Sequence, residues 1–160
     1  QTDLLLACAG MARAFTQRRA QQISGQINGP NTSVRREWVV ILDGGHHAGL
    51  EEMELVAKNF PKLNIVIAHP GASKSDIADK IVLLRKHPNL YLDLSGSGMF
   101  RDGMLRYGID QAGKDKFLFG TDYPICNPAS ILYAVLYEKL SDDELAAVFS
   151  GNFRCLTGLK

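Results

Sequence analysis

Four short apolar segments, each closed by polar or glycine residues, dominate the chain from residue 38 onward. These predicted strands cover residues 38–42, 64–68, 90–94 and 116–119. Each is followed by residues whose apolar positions recur at helical spacing. Strands that are almost wholly apolar and that alternate with helices are typical of parallel sheets packed between layers. The sequence therefore predicts an α/β fold built from parallel βα units.

The predicted helices begin at recognisable signals. Apolar residues at helical spacing predict helices over 50–60, around 77–84 after Ser73 and Ser75, over 104–111 and over 129–140. Ser141 and Glu144 form a capping-box pattern that predicts the start of a further helix through Phe149. The apolar segment 131–136 is interpreted as core and not as a partner-binding face.

The first 37 residues follow a different pattern. Apolar spacing predicts a helix over 3–23, and Asn28-Gly29-Pro30-Asn31 marks the segment 26–36 as a loop or linker. We therefore divide the chain into residues 1–37, a helix plus linker of unclear origin, and residues 38–160, which hold the βα units.

Two parallel architectures are compatible with four βα units. A doubly wound open sheet needs no more chain than this. A closed (βα)₈ barrel typically needs about 250 residues, so that four units would make half of one. Length alone favours the open sheet.

Composition excludes several classes of partner. Charged residues make up 22% of the chain and the net charge is +1, which gives no bias towards nucleic acid or an anionic membrane. Cys8, Cys126 and Cys155 are widely spaced and odd in number, so we expect reduced thiols and a cytoplasmic protein. No apolar run approaches the roughly 20 residues of a membrane span. The expected partner is a small-molecule substrate.

Ionisable and polar residues gather at the predicted strand ends, where parallel α/β folds place their sites. In chain order they are Asp43 with His46 and His47, His69, Asp93 with Ser95, and Asp122. Imidazole and carboxylate together suit a divalent metal. The pattern predicts a metal or catalytic site at this edge of the sheet.

A purely structural role is open for several of these residues. The His69 ring could bond a backbone carbonyl and shape the turn before Pro70. Asp122 could cap a helix or close an Asx-turn before Pro124. His46 and His47 could form an exposed loop pair, and His87 is interpreted as a solvent-facing helix cap.

Residues 60–71, 88–95 and 116–124 form three segments that together resemble the amidohydrolase superfamily, in its decarboxylase/lactonase-like branch. Residues 60–71, ending in His69-Pro70-Gly71, resemble the sixth barrel strand of that family, and residues 88–95 resemble the seventh. Residues 116–124, with Gly120-Thr121-Asp122, resemble the eighth, and residues 140–144 and 151–156 resemble its last helices. The resemblance implies that the chain holds strands five to eight of a (βα)₈ barrel, which would make it an incomplete barrel, and so reverses the argument from length.

The resemblance also implies a function. The chain would be a metal-dependent hydrolase in which Asp122 ligates the metal, or acts as a base on metal-bound water, and His69 bonds the substrate or that water. Zinc is the expected metal, with manganese as the alternative. Ser95 and Tyr123 are assigned to substrate binding.

Two features depart from the family pattern. The chain has no His-x-His motif, and its first predicted strand ends in Asp43 where the family's fifth strand ends in histidine. Asp43, His46 or His47 could replace the missing ligands. A non-catalytic, degenerate barrel fragment serving as a structural or binding subunit is therefore an alternative, as is a metal-dependent decarboxylase. Because half a barrel leaves open sheet edges, we expect a homo-oligomer or part of a longer chain.

A third interpretation, an open α/β domain with a phosphate site, would use the turn Ser95-Gly96-Ser97-Gly98. This turn lacks the spacing of a dinucleotide fingerprint.

Overall fold

The computed structural model describes residues 49–96, 98 and 101–159, together with the backbone of residues 39–43. It contains a parallel sheet of four strands in the order β1-β2-β3-β4. The strands are β1 (Val39–Asp43), β2 (Asn64–Ala68), β3 (Leu90–Asp93) and β4 (Phe117–Leu118).

Helices connect and follow the strands as predicted. They are α1 (Leu50–Asn59), α2 (Lys74–Lys86), α3 (Met104–Ala112), α4 (Pro128–Tyr137), α5 (Asp142–Ala146) and α6 (Asn152–Thr157), with a π-helical turn at Ala147–Gly151. The predicted helix starts are confirmed at Ser73, whose hydroxyl accepts the Asp76 N–H, and at Ser141, whose hydroxyl accepts the Glu144 N–H.

The strand order discriminates between the two predicted architectures. Each strand lies beside its predecessor in the chain and runs parallel to it. A doubly wound sheet reverses its strand order at a switch point, whereas a barrel adds its strands in sequence. The sequential order therefore supports the barrel type, and the expectation based on length is wrong.

Side chains on the two faces of the sheet enter different clusters. Ile65 and Ile67 of β2 belong to the main core beneath the helices, whereas Val66 belongs to a small cluster with Leu118 and Leu156. Because successive strand residues point to opposite faces, Asp93 lies on the opposite face from its core neighbour Leu92. The face opposite the main core thus carries the ionisable residue at the end of β3.

Strand β4 is shorter than the predicted segment 116–119. Residues Lys114–Lys116 form a 3₁₀ turn, and the Lys116 ammonium donates to the backbone carbonyls of His87, Pro88 and Leu90. Directly after the carboxyl end of β4, the Phe119 N–H donates to the carbonyl of Val148. Contacts distant in sequence therefore set both ends of this strand.

A buried carboxylate caps helix α3. Gly103 offers no side chain at the N-terminus, and Glu138 accepts the backbone N–H groups of Gly103, Leu105 and Arg106 at 3.0, 3.4 and 3.0 Å. Its negative charge also complements the helix dipole. Glu138 is 5% exposed, so α4 and α3 are joined by a polar contact inside the core.

Helix α4 and His87 differ from what the sequence predicts. Helix α4 is not core throughout: Ile131 and Val135 are buried, but Tyr133 is 69% exposed. His87 is the C-cap of α2, as expected, yet its ring does not face solvent. Its Nε2 lies 3.3 Å from a Glu54 carboxylate oxygen, and the side chain is 12% exposed.

The bidentate ion pair between Arg106 and Glu144 predicts a pH-dependent stability. The Arg106 guanidinium, at 2.7 and 2.8 Å, lowers the Glu144 pKa from 4.5 to about 2. At pH values between about 2 and 4.5 the unfolded chain binds more protons at Glu144 than the folded chain does. The contribution of Glu144 to the free energy of unfolding is therefore complete above pH 4.5 and is lost as the pH falls towards about 2. We expect Glu144→Gln to lower urea-unfolding stability at pH 7 and to lose that effect near pH 2. Glu51→Gln, at an exposed position on α1, is the control, and an acid-insensitive difference would contradict the expectation.

The predicted helix 3–23, the linker 26–36 and the boundary at residue 38 lie outside the described residues and stay predictions. None of the described helices combines the length and apolar character needed to cross a membrane.

Candidate functional site

His69 follows β2 directly and adopts a left-handed backbone conformation, with φ of 68°. Such a conformation is uncommon for residues other than glycine and requires support from its surroundings. The buried Lys80 ammonium on α2 supplies part of it by donating to the His69 carbonyl at 2.8 Å. The ring Nδ1 lies 3.1 Å from the Ser95 carbonyl oxygen and 3.2 Å from the Ser95 hydroxyl. The ring thus bonds a backbone carbonyl, as its structural interpretation predicts.

Ser95 connects His69 to Asp93. Its hydroxyl donates to one carboxylate oxygen of Asp93 at 2.7 Å, and its backbone N–H donates to the other at 3.0 Å. Ser95 is 4% exposed, so these bonds form away from bulk water. Hydrogen bonds therefore join a carboxylate, a hydroxyl and an imidazole in one continuous chain.

Two glycines make this close packing possible. A Cβ atom on Gly96 would lie 2.3 Å from the His69 Nδ1, and one on Gly120 would lie 2.1 Å from a carboxylate oxygen of Asp93. Gly96 also has a φ of 69°, which glycine adopts without steric cost. The backbone at Gly96 thus contacts the His69 ring, and the backbone at Gly120 contacts the Asp93 carboxylate.

Asp122 lies four residues beyond β4, and its φ is 56°. Its predicted alternative role as a helix cap is wrong, because Asn127 caps α4 by accepting the Ala129 N–H at 3.0 Å. Among the described residues, the contact of its carboxylate is the Cys126 thiol, with Sγ 3.8 Å from Oδ2. Within the described part of the chain, the Asp122 carboxylate therefore does not accept a hydrogen bond from a neighbouring backbone N–H group.

The pKa of Asp93 depends on its burial and on its neighbours. Burial raises the Asp93 pKa, while the two bonds from Ser95 and the charge of His69 lower it. The Asp122 carboxylate raises it further. Two carboxylates and an imidazole therefore share one electrostatic environment at the carboxyl edge of the sheet, as the strand-end pattern predicts.

The roles of the other predicted site residues stay predictions. The backbone of Asp43 pairs with Ala68, which places Asp43 next to His69 along the same edge. His46 and His47 lie outside the described residues, and Tyr123 is 75% exposed. The Ser95 hydroxyl is engaged with Asp93, and its assignment to substrate binding stays a prediction.

Lys80 and Asp93 contribute to the site although the sequence pattern predicts no role for either of them. Lys80 lies three residues after Ile77 and four before Leu84, on the apolar face of α2. A lysine is unusual on such a face, and this position is the sequence signal that could have indicated a buried role. Asp93 was noticed at a strand end, but its bonds to Ser95 have no local sequence signal beyond their spacing.

Comparison with known proteins identifies the family and the fold of the chain. The sequence profile of the Amidohydrolase family matches residues 33–154, whereas no curated protein matches the chain. An amidohydrolase from Burkholderia multivorans with bound zinc is similar, with 17% identity over 88% of this chain and 57% of that one, and a TM-score of 0.63.

Two further solved structures share the fold. An uncharacterised TIM-barrel protein from Bordetella bronchiseptica has 21% identity over 88% of this chain and 50% of its own, with a TM-score of 0.66. A dihydroxybenzoic acid decarboxylase from Polaromonas, with manganese and 2-nitroresorcinol bound, has 21% identity over 90% and 47%, with a TM-score of 0.51.

These comparisons confirm the TIM-barrel type of fold predicted from the sequence. The chain spans roughly half of the length of these structures, so that it corresponds to an incomplete barrel. At these identities the structures establish the fold alone, whereas the profile match extends over most of the sequence. The chain therefore belongs to the amidohydrolase family.

Proposed function

We propose that this chain supplies the carboxyl-terminal half of the active site of a metal-dependent hydrolase of the amidohydrolase type. The substrate would be a small carboxylic, ester or lactone-like molecule. The observation that carries the proposal is the placement of His69 and Asp122 at the same sheet edge, where both influence the pKa of Asp93. In barrels of this type the carboxyl ends of the strands hold the catalytic groups.

The hydrogen bond of His69 to Ser95 indicates which ring nitrogen carries the proton, and so which contact the other nitrogen can make. A carbonyl oxygen can only accept, so Nδ1 carries the proton that is donated to Ser95. In the neutral ring Nε2 is then an acceptor, which suits contact with a water proton better than polarisation of a carbonyl. The Asp122 carboxylate, whose hydrogen-bond contact among the described residues is a thiol, is the second proton acceptor of the site. Hydrolysis needs such an acceptor for the proton that the attacking water loses.

The described residues do not by themselves make a metal site. No group of three histidine, cysteine, aspartate or glutamate side chains in the described ranges could hold an ion, and a catalytic zinc usually has three protein ligands. Asp122 would be one ligand, and Asp43, His46, His47 or chain beyond this half-barrel would have to supply the others. The bound metals of the Burkholderia and Polaromonas proteins support zinc or manganese as the candidates.

Metal content and activity of an Asp122 variant test the proposal. Asp122→Asn is preferred to alanine, because asparagine tolerates the left-handed backbone at this position. We expect the parent protein to bind zinc or manganese stoichiometrically and to hydrolyse members of a panel of small esters and lactones. The variant should lose the metal and the activity, while its urea-unfolding midpoint stays close to that of the metal-free parent.

Asp102→Asn, at an exposed position, is the matched control and should keep both properties. Dihydroxybenzoates belong in the same panel, since decarboxylation is the alternative reaction and a Polaromonas neighbour is a dihydroxybenzoic acid decarboxylase. If the protein assembled with the chain that completes its barrel also lacks metal and turnover, the hydrolase proposal is overturned and the second candidate, a non-catalytic barrel fragment, is favoured. The lack of a three-ligand cluster among the described residues supports that candidate.

We also propose that the half-barrel is completed by further chain, either a longer protein or a second copy. Strands β1 and β4 form the two ends of the described sheet, and unpaired strand edges favour association. Exposed apolar side chains in the segment that follows β4 support the same proposal, among them Ile125 at 82% and Tyr137, the last residue of α4, at 75%.

A further inference from the structure

We infer that Asp93 and Ser95 are positioning residues that fix the neutral His69 ring in the tautomer with its proton on Nδ1. The assignment of this tautomer follows from hydrogen-bond geometry alone. Its importance for turnover rests on the catalytic role proposed for His69.

The donors and acceptors of Ser95 determine the proton position. Its N–H and its O–H are both donated to the Asp93 carboxylate, at 3.0 and 2.7 Å. The two Ser95 oxygens that face His69 Nδ1 are therefore both acceptors, the carbonyl at 3.1 Å and the hydroxyl at 3.2 Å. A nitrogen that faces two acceptors must be the donor, so Nδ1 is protonated.

The Asp93 carboxylate gives the Ser95 hydroxyl its direction. Each carboxylate oxygen is an acceptor, and the two oxygens receive the two donors of Ser95 without conflict. Without that acceptor the hydroxyl could rotate and donate to Nδ1, which would move the ring proton to Nε2. Asp93 thus acts on His69 through Ser95 and not by direct contact.

The surroundings leave this arrangement little freedom. Ser95 is 4% exposed, and the backbone at Gly96 and Gly120 lies against His69 and Asp93 so closely that a Cβ atom at either position would overlap with them. The His69 backbone is tied to α2 by the Lys80 ammonium. Reorientation of the ring would therefore disturb several contacts at once.

Asp93→Asn reverses the hydroxyl and is the sharpest test. An asparagine side chain has one acceptor and one donor, so its oxygen would accept the Ser95 N–H and its NH₂ group would donate to the Ser95 hydroxyl. That hydroxyl would then donate to His69 Nδ1. With roughly 1 kcal/mol for one net hydrogen bond, we expect the ratio of Nδ1–H to Nε2–H forms to fall about five- to tenfold.

Long-range ¹H–¹⁵N NMR spectra of the full chain, recorded near pH 8.5, about two units above the reference pKa of histidine, measure this ratio directly. His69→Asn identifies the His69 signals among the four histidines of the chain. We expect the parent to show protonated Nδ1 and unprotonated Nε2. Asp79→Asn, an exposed change on α2, should leave the ratio as it is. A parent spectrum with the proton on Nε2 overturns the inference without any variant.

Two further results test each residue separately. Ser95→Ala keeps the backbone carbonyl as an acceptor, so His69 should retain its proton on Nδ1. If Asp93→Asn leaves the ratio of Nδ1–H to Nε2–H forms unchanged, the role of Asp93 is refuted. If Asp93→Asn does not fold, the parent spectrum and Ser95→Ala still test the assignment. Because the tautomer is measured without metal or substrate, its failure and the failure of the hydrolase proposal are separate outcomes.

Discussion

Replacing Gly120 with alanine should destabilise the protein by about 2 to 3 kcal/mol and separate Asp93 from Ser95. The added Cβ would lie 2.1 Å from one carboxylate oxygen of Asp93 and 3.0 Å from the other. A flexible side chain could move aside at little cost, but this short one is held by both donors of Ser95. Moving it breaks those bonds and leaves a largely buried carboxylate without its partners.

A double-mutant cycle shows whether Asp93 is the cause. Asp93→Ala removes the atoms that the new methyl group would meet, so Gly120→Ala should cost much less in that background. Urea unfolding of the four proteins should give a coupling energy of about 1 to 3 kcal/mol, as expected for residues in contact. Equal costs of Gly120→Ala in both backgrounds would place the strain elsewhere. The His69 tautomer, followed by NMR, should change with Gly120→Ala in the parent background.

The strands and helices could be predicted well because their signals are local. Strand β2 has the predicted bounds, and the capping residues Ser73 and Ser141 are those that the sequence indicates. Strand β4 was predicted too long, since its ends depend on Lys116 and Val148, whose partners are distant in the chain. Local pattern carries no information on such contacts.

The candidate site was predicted in its position but not in its connections. Parallel strands end at one edge, so the sequence order alone suggests that His69 and Asp122 lie near each other. The hydrogen bonds that connect His69 to Asp93 through Ser95 depend on the strand register, which pairs Ile67 with Leu92. Two residues beyond that pair, the same register brings His69 beside the loop after β3. It also depends on two glycines whose need becomes visible only when the loops are packed. Neither condition can be derived from residue type and spacing.

Replacing His69 with asparagine should preserve the fold and lower kcat/KM by roughly 10²- to 10⁴-fold, the usual contribution of a positioned acid or base. Asparagine tolerates the left-handed backbone of this position, and its amide nitrogen can replace Nδ1 as the donor to the Ser95 carbonyl. It has no counterpart of Nε2. The change therefore removes the proposed proton acceptor while it keeps the turn.

His69→Gln is the matched comparison for this variant. Its longer amide can place a polar atom near the position of Nε2, but it has no donor at the position of Nδ1 and is less suited to a φ of 68°. We expect it to lose stability by about 1 to 2 kcal/mol in urea unfolding, in addition to activity, because the bond to Ser95 is lost and the backbone is strained. Activity is measured on whichever ester or lactone the parent hydrolyses. If His69→Asn keeps parental kcat/KM, the ring serves the turn alone, and Asp122 would have to provide the proton acceptor without it.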